Sequence, residues 1–338
     1  MAPRFVRYGL LAAGLCACPK EPVRPRRAVA DARAVASPPT EVPAPPPPEG
    51  APFRVERAAA IGPTRVFAVA GERLWHPVDG RWSELPIAGA VVRDVASGAG
   101  ALWALARGEG PNAGRVIVLR AGAGGDDLSV IMDFLTAEDH DPRALAVPSD
   151  HEFYIGGHNP PLIRARLWAA PQMNVYTLPS PVEALTYMPD AMMAVRYVGG
   201  AVSMFRWGET MAVERPGYLF SFSGSRESLM TYRDGAVYRG RVWELPLPGE
   251  RLSSASGITP IAAATLRDER VVEVDAEGRT RMLRESHWVD VEGPTGATDV
   301  AVLAGARALT EGLCVRVDRD GSVYELVEAR WERRVAPP

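Results

Sequence analysis

The densest grouping of reactive side chains in the sequence places two histidines among carboxylates and amides: Glu109, Asn112, Glu138, Asp139, His140, Asp141, His158 and Asn159. Imidazole nitrogens and carboxylate oxygens are the groups that hold divalent cations or move protons, so such a set could serve metal binding or acid/base chemistry. The spacing matches no specific metal motif; the eight residues read best as a solvated polar lip and are the candidate ligand-binding residues. Cys314 lies in the apolar run Leu313-Cys314-Val315-Arg316-Val317 and is expected to be a small buried core residue. Asp318-Arg319-Asp320-Gly321 opens like a calcium loop but lacks the later ligands and the terminal glutamate, which leaves a hairpin turn. His76, His151 and His287 fall in or beside strand patterns and read as structural. There is no Gly-x-Ser-x-Gly elbow, phosphate loop or spaced pair of CxxC motifs. The expectation is a non-enzyme with no catalytic residue, metal or cofactor. The alternative is a metal-assisted hydrolase or lyase that uses the His140/His158 carboxylate cluster.

The elements that must position these residues are strands. Beyond residue 53, short runs rich in Val, Leu, Tyr and Trp alternate with Gly, Pro and Asp turns, and convincing helical periodicity is nearly absent. Tryptophans stand at 82, 168, 207, 243, 288 and 331, with intervals of 86, 39, 36, 45 and 43. The first interval is two steps of 43, so the series has seven slots with the second one empty. A period near that length is the signature of a repeat built from four-stranded propeller blades.

The sixth unit shows the frame most clearly. An Ala-rich inner strand at 261–266 is followed by strands at 270–275, 279–284 and 287–291. Small side chains suit the inner strand because blades converge at the axis, where bulk does not fit. The seventh unit (299–304, 313–317, 322–327, 331–335) and the first (58–61, 66–70, 72–77, 82–85) repeat the pattern, with Asp-Gly at hairpin turns. The fifth lays its outer strand at 242–245. The expected fold is therefore all-β, a seven-bladed β-propeller of four-stranded antiparallel blades over 53–338, in which the tryptophans wedge between neighbouring blades. In this frame the loops at 107–114, 136–143 and 156–161 lie on one face and bring the polar cluster together. The Arg81-Trp82-Ser83-Glu84-Leu85-Pro86 segment and the Ala101-Leu102-Trp103-Ala104-Leu105 strand make the repeat similar to tectonin-type and related bacterial propellers. That resemblance implies a recognition domain for a protein or a glycan.

The first fifty residues set the compartment. Arg4 and Arg7 precede a short apolar stretch from Tyr8 to Ala17, as in a secretory signal, too short for a permanent bilayer span. Leu15-Cys16-Ala17-Cys18 resembles the bacterial lipobox, which implies a signal peptide at 1–17 and a lipid on Cys18. Pro19 follows the modified position, and outer-membrane or surface placement is preferred. Residues 18–52 are dominated by Pro, Ala, Arg and Glu and include four consecutive prolines at 45–48. Such a composition cannot bury a core and predicts a disordered tether that spans about 3.1 Å per residue where extended. With a net charge of −3 and 23% charged residues, the chain lacks the basic character of a nucleic-acid binder. The expectation is an exported, lipid-anchored, monomeric binding or scaffold module of the cell envelope, with a protein or glycan partner and no contact with the membrane beyond its lipid.

Overall fold

The computed structural model describes residues 53–338 apart from 123–126, 137–138, 169–170, 189–191, 207–208, 213–219, 223–227, 234–235, 242–249, 252–256, 259, 267–269, 295, 297–298, 306–308, 311 and 313. The signal peptide expected at 1–17, Cys18 and the tether at 18–52 lie outside the described residues, as do Glu138, Trp207 and Trp243.

The described residues form 28 strands and one short 3-10 turn. The first sheet holds β1 (Arg57–Ala60), β2 (Val66–Ala70), β3 (Arg73–Val78) and β4 (Arg81–Leu85). The second holds β5 (Ala90–Gly98), β6 (Ala101–Gly108), β7 (Arg115–Ala121) and β8 (Leu128–Leu135). The third holds β9 (Asp141–Ser149), β10 (Glu152–His158), β11 (Leu162–Arg166) and β12 (Gln172–Tyr176), and the fourth β13 (Val182–Met188), β14 (Met192–Tyr197), β15 (Val202–Arg206) and β16 (Glu209–Ala212). In the fifth are β17 (Phe220–Phe222), β18 (Ser228–Arg233), β19 (Ala236–Arg241) and β20 (Glu250–Arg251). The sixth comprises β21 (Pro260–Thr265), β22 (Val271–Asp275), β23 (Thr280–Arg284) and β24 (His287–Val291); the last, β25 (Val300–Ala304), β26 (Val315–Asp318), β27 (Val323–Val327) and β28 (Arg330–Val335).

Each sheet pairs its four strands antiparallel in sequence order. The all-β propeller with four-stranded antiparallel blades is thus present. The expectation of seven blades is corrected: six are regular blades, and the β17–β20 sheet is a reduced one. In the six, strands run four to nine residues, and the inner strands β1, β5, β9, β13, β21 and β25 line a common axial cavity. The β17–β20 sheet has an inner strand of three residues and an outer strand of two. Glu250 and Arg251 pair with Arg239 and Tyr238, and the outer strand expected at 242–245 lies outside the described residues.

Local chemistry explains the regular blades. Asp79-Gly80 links β3 to β4 with φ values of 49° and 75°, the left-handed pair that a two-residue hairpin requires. Between blades the core is apolar. Phe67, Leu74, Leu102 and Leu119 fill the space between the first and second sheets, and Trp103, Val118, Phe153 and Ile163 that between the second and third. Cys314 packs with Leu326 and Trp331 between the sixth and last sheets, fully buried as expected. Its thiol is pushed well above the ordinary range by burial, which disfavours the thiolate.

Trp82 and Trp331 are inter-blade wedges, both buried. Trp168 is not: it follows β11, is 56% exposed and lies beneath the Arg166 guanidinium at 5.0 Å. Trp288 is half-buried. Trp75 and Trp103, off the regular spacing, instead donate to carbonyls of their own hairpins, Ala70 and Gly98.

Candidate functional site

Antiparallel order within a blade places the connection to the next inner strand and the loop between second and third strands on one face. In the second and third blades that face carries the loop from β6 to β7, the residues leading into β9, and the turn from β10 to β11.

The last two of these are tied together by His140. Its ring is buried, and because carbonyl oxygens only accept, Nδ1 carries a proton and donates to the carbonyls of His158 (2.8 Å) and Asn159 (3.2 Å). Burial pulls the His140 pKa below its ordinary value, while the two carbonyl bonds and the nearby Asp141 act in the opposite direction. A neutral imidazole committed to two backbone oxygens works as a strap between loops. Its Nε2 is buried and meets no hydrogen-bond partner among the described residues.

Around the strap, the Asn159 amide donates to Asp139, and Asn159 holds a φ of 45°, a conformation that asparagine tolerates better than most residues. Asp141 accepts from Arg143 at 2.7 Å and faces Arg107 at 3.8 Å. His158 is exposed. The structure therefore brings together Asp139, His140, Asp141, His158 and Asn159. Glu109 and Asn112 do not join them. They flank the 3-10 turn Gly110–Asn112, where the Glu109 N–H donates to the Gly89 carbonyl at 2.9 Å and Asn112 lies over Gly89. Glu138 is outside the described residues. Among the described residues no group of three or more His, Cys, Asp or Glu side chains is placed to share a cation.

The outer parts of the same two blades expose large apolar side chains. Val130 and Leu135 lie on β8, Met173 and Val175 on β12, and Trp168 between β11 and β12. Leu135, 73% exposed, is the last residue of β8 and leads directly into the loop that ends at His140. The run from Leu167 to Val182 contains no charged residue, so β12 lacks the charges that usually protect an outer edge.

The axial cavity, about 760 Å3, holds the residues that the sequence reading missed. Alanines of the inner strands form much of its wall, while Glu56, Arg57, Asp94, Glu183, Arg196 and Arg319 also line it. A recurrent irregularity aims some of them. The inner strands of the second, third, fourth, sixth and last sheets each carry a bulge near the start, whose extra residues are Arg93, Arg143, Glu183, Ile261 and Ala301. Arg196 pairs with Glu183 at 3.3 Å, and Arg319 bonds Asp299 and the carbonyls of Val55 and Glu56. Asp94 accepts the Leu145 N–H at 2.7 Å, a bond from the second blade to the third. Burial raises its pKa to about 6, against the smaller opposing effects of that bond and of Arg57. The signal in the sequence is a charge set at the head of an Ala/Val strand, as in Arg57-Ala58-Ala59-Ala60 and Arg93-Asp94-Val95-Ala96.

No protein-family model matches the chain. No curated protein matches it either. Among solved structures it is similar to PorZ, described as an essential bacterial surface component of the type-IX secretion system of Porphyromonas gingivalis, with a TM-score of 0.53 and 15% identity over 85% of this chain. The chain spans only 39% of PorZ. It is also similar to Hsv2 of Kluyveromyces lactis, with a TM-score of 0.51 and 11% identity, over 71% of this chain and 76% of that one. At such identities the likeness is one of architecture, and what these structures have in common with the chain is the β-propeller fold.

Proposed function

We propose that this chain is a binding or scaffold module of the cell envelope, anchored by a lipid on Cys18, that recognises a protein or glycan partner through the loops of its second and third blades. The observation that carries the reading is the coincidence on those two blades of a strapped polar loop cluster with the exposed apolar residues Val130, Leu135, Trp168, Met173 and Val175. Exposed apolar side chains bordered by polar groups mark interaction surfaces, and the strap at His140 holds Asp139, Asp141, His158 and Asn159 ready without ordering a loop on binding. The apolar component favours a protein over a glycan. The description of PorZ as a bacterial surface component agrees with an envelope location.

The test is site-specific photo-crosslinking in intact cells. A crosslinker at Leu135 should give one discrete adduct, abolished by Asp141→Arg, while a crosslinker at His287 on the sixth blade should give none. Equal labelling at both positions would remove this surface from consideration. The anchor has a separate readout: Cys18→Ser should move the protein out of the detergent phase, and unchanged partitioning would refute lipidation.

A further inference from the structure

The backbone edge of the third blade supplies an inference that goes beyond the loop surface around His140. Just past β11 the Leu167 N–H donates to the His151 carbonyl at 2.8 Å, so odd-numbered residues of this strand turn their backbone groups towards β10 and even-numbered ones towards β12. Leu162, Arg164 and Arg166 stand opposite Tyr176, Asn174 and Gln172, and these pairs therefore exchange the bonds between β11 and β12. The N–H and C=O groups of Met173 and Val175 are left pointing outward along the free edge of the sheet. Among the described outer strands β12 alone has no charged side chain, whereas β4, β8, β16, β20, β24 and β28 each carry at least one Asp, Glu or Arg. Charges are what ordinarily keep such an edge from pairing.

What covers this edge follows from its own register. Two copies of β12 laid antiparallel about a two-fold axis at Asn174 set Met173 of each copy opposite Val175 of the other, so the outward backbone groups meet their complements. The same register places the Met173 and Val175 side chains of both copies together on the face they share with Ile163 and Ala165. These side chains are 48% and 63% exposed in the single chain, and cross-strand apolar pairs of this kind stabilise a sheet. On the other face Asn174 meets Asn174 and Gln172 meets Tyr176, with no like charges opposed. We infer that β12 is a self-association edge, through which a second copy of this chain joins two third blades into one continuous sheet. The result is a two-fold dimer, a departure from the monomer expected from the sequence.

Sedimentation of the purified Cys18→Ser chain over a concentration series tests this. The chain should pass from monomer to dimer and no further. Asn174→Glu puts a carboxylate opposite Arg164 within its own blade but opposite an identical carboxylate across the axis, and Asn174→Lys sets two ammonium groups there. Each variant alone should weaken association at least roughly tenfold. Their thermal midpoints should stay near that of the parent chain, because Asn174 is exposed. An equimolar mixture of the two should dimerise again, since opposite charges then face each other, a recovery that damage to the fold would not produce. Asp141→Arg, which alters the loop surface, should leave self-association unchanged, so this inference and the partner surface fail separately. A monomer at every concentration, undiminished association of Asn174→Glu, a mixture no more associated than its components, or loss of the dimer in Asp141→Arg would overturn the assignment.

Discussion

The indole Nε1–H of Trp82 donates to the carbonyl of Gly321 at 2.8 Å, joining the first blade to the last across the point where the ring closes. No strand is exchanged there: β1 to β4 and β25 to β28 are each continuous in sequence. Closure rests on packing and a few directed bonds, including Val55 N–H to the Arg319 carbonyl and Thr310 N–H to the Ile61 carbonyl. Gly321 is required at this seam, because a Cβ there would stand 2.8 Å from the Phe53 ring and 3.0 Å from Trp82 Nε1, at a φ of 90°. The same arrangement recurs one blade back, where Trp331 Nε1–H donates to Thr280 Oγ at 3.0 Å. Each tryptophan is the second residue of its outer strand and reaches the preceding blade.

Trp82→Ala is therefore expected to cost about 3–5 kcal/mol, the range for truncating a buried aromatic. Trp82→Phe keeps most of the apolar area but strands the Gly321 carbonyl, and is expected to cost about 1–3 kcal/mol. Trp168→Ala, at an exposed position, should stay within roughly 1 kcal/mol of the parent chain. Urea unfolding of the three variants checks the order, and a Trp168 loss as large as that of Trp82 would contradict the wedge assignment.

The last blade contains a fully buried arginine. Arg316 donates from Nε to Asp318 at 2.7 Å and from Nη2 at 2.9 Å, with its guanidinium 5.6 Å from the Tyr324 ring centre. Removing the Asp318 carboxylate takes two charge-assisted bonds from a buried guanidinium. Asp318→Ala is expected to destabilise by about 3–5 kcal/mol. Replacing both residues by Met and Leu should recover much of that loss, and a double variant no better than the single one would show that the pair contributes beyond mutual neutralisation.

These two cases show what the sequence makes legible. An aromatic just after a tight turn, repeated at a fixed spacing, announces the wedge at Trp82 and Trp331, and the Ala-rich inner strands of the first and sixth blades follow from crowding at the axis. The same spacing misled at Trp168, because residue intervals count chain length and do not distinguish a third-strand exit from an outer strand. The reduced β17–β20 sheet escaped the same count. At the candidate site, loop placement was legible from strand order, which put His140 beside the 156–161 turn. Burial of its ring was not, since that depends on the carbonyl orientation of His158 and Asn159. The bulges at Arg93 and Glu183 were hidden for a related reason: one extra residue in a strand shows only against its paired neighbour.

The elevated pKa of Asp94 makes a pH prediction. The folded state holds the Asp94 proton up to about pH 6, whereas the unfolded chain releases it near 3.8, the ordinary value for an aspartate. Between those values the native state binds more protons, so this group stabilises the fold at low pH and its contribution is lost as pH rises through 6. The difference is on the order of 1–3 kcal/mol. Asp94→Asn, which can still accept the Leu145 N–H, should gain stability at pH 7 relative to the parent chain and show little gain at pH 4. Urea midpoints at the two pH values measure it, and an equal effect at both would mean that protonation of Asp94 is not linked to folding.

His140 works in the opposite direction and on a different part of the molecule. Burial keeps its folded-state pKa below the ordinary histidine value, so on acidification the unfolded chain takes up a proton before the native imidazole does. Stability linked to this residue is complete above the unfolded pKa, near 6.5, and declines as pH falls below it. Protonation would also place a second N–H donor at Nε2, an atom buried with no acceptor among the described residues. The strap between the approach to β9 and the β10–β11 turn should therefore loosen on acidification. Hydrogen exchange at His158 and at residues 162–163 is expected to accelerate between pH 7 and pH 5 more than exchange in β22 on the sixth blade, which carries neither of the buried imidazoles His76 and His140. His140→Phe retains ring volume but lacks the Nδ1 donor. It should exchange quickly at both pH values, at a cost of about 1–3 kcal/mol for the two carbonyls it leaves. If exchange at these sites in the parent chain is unchanged between pH 7 and pH 5, the loop face is held by contacts other than His140, and the preorganisation attributed to the strap fails with it.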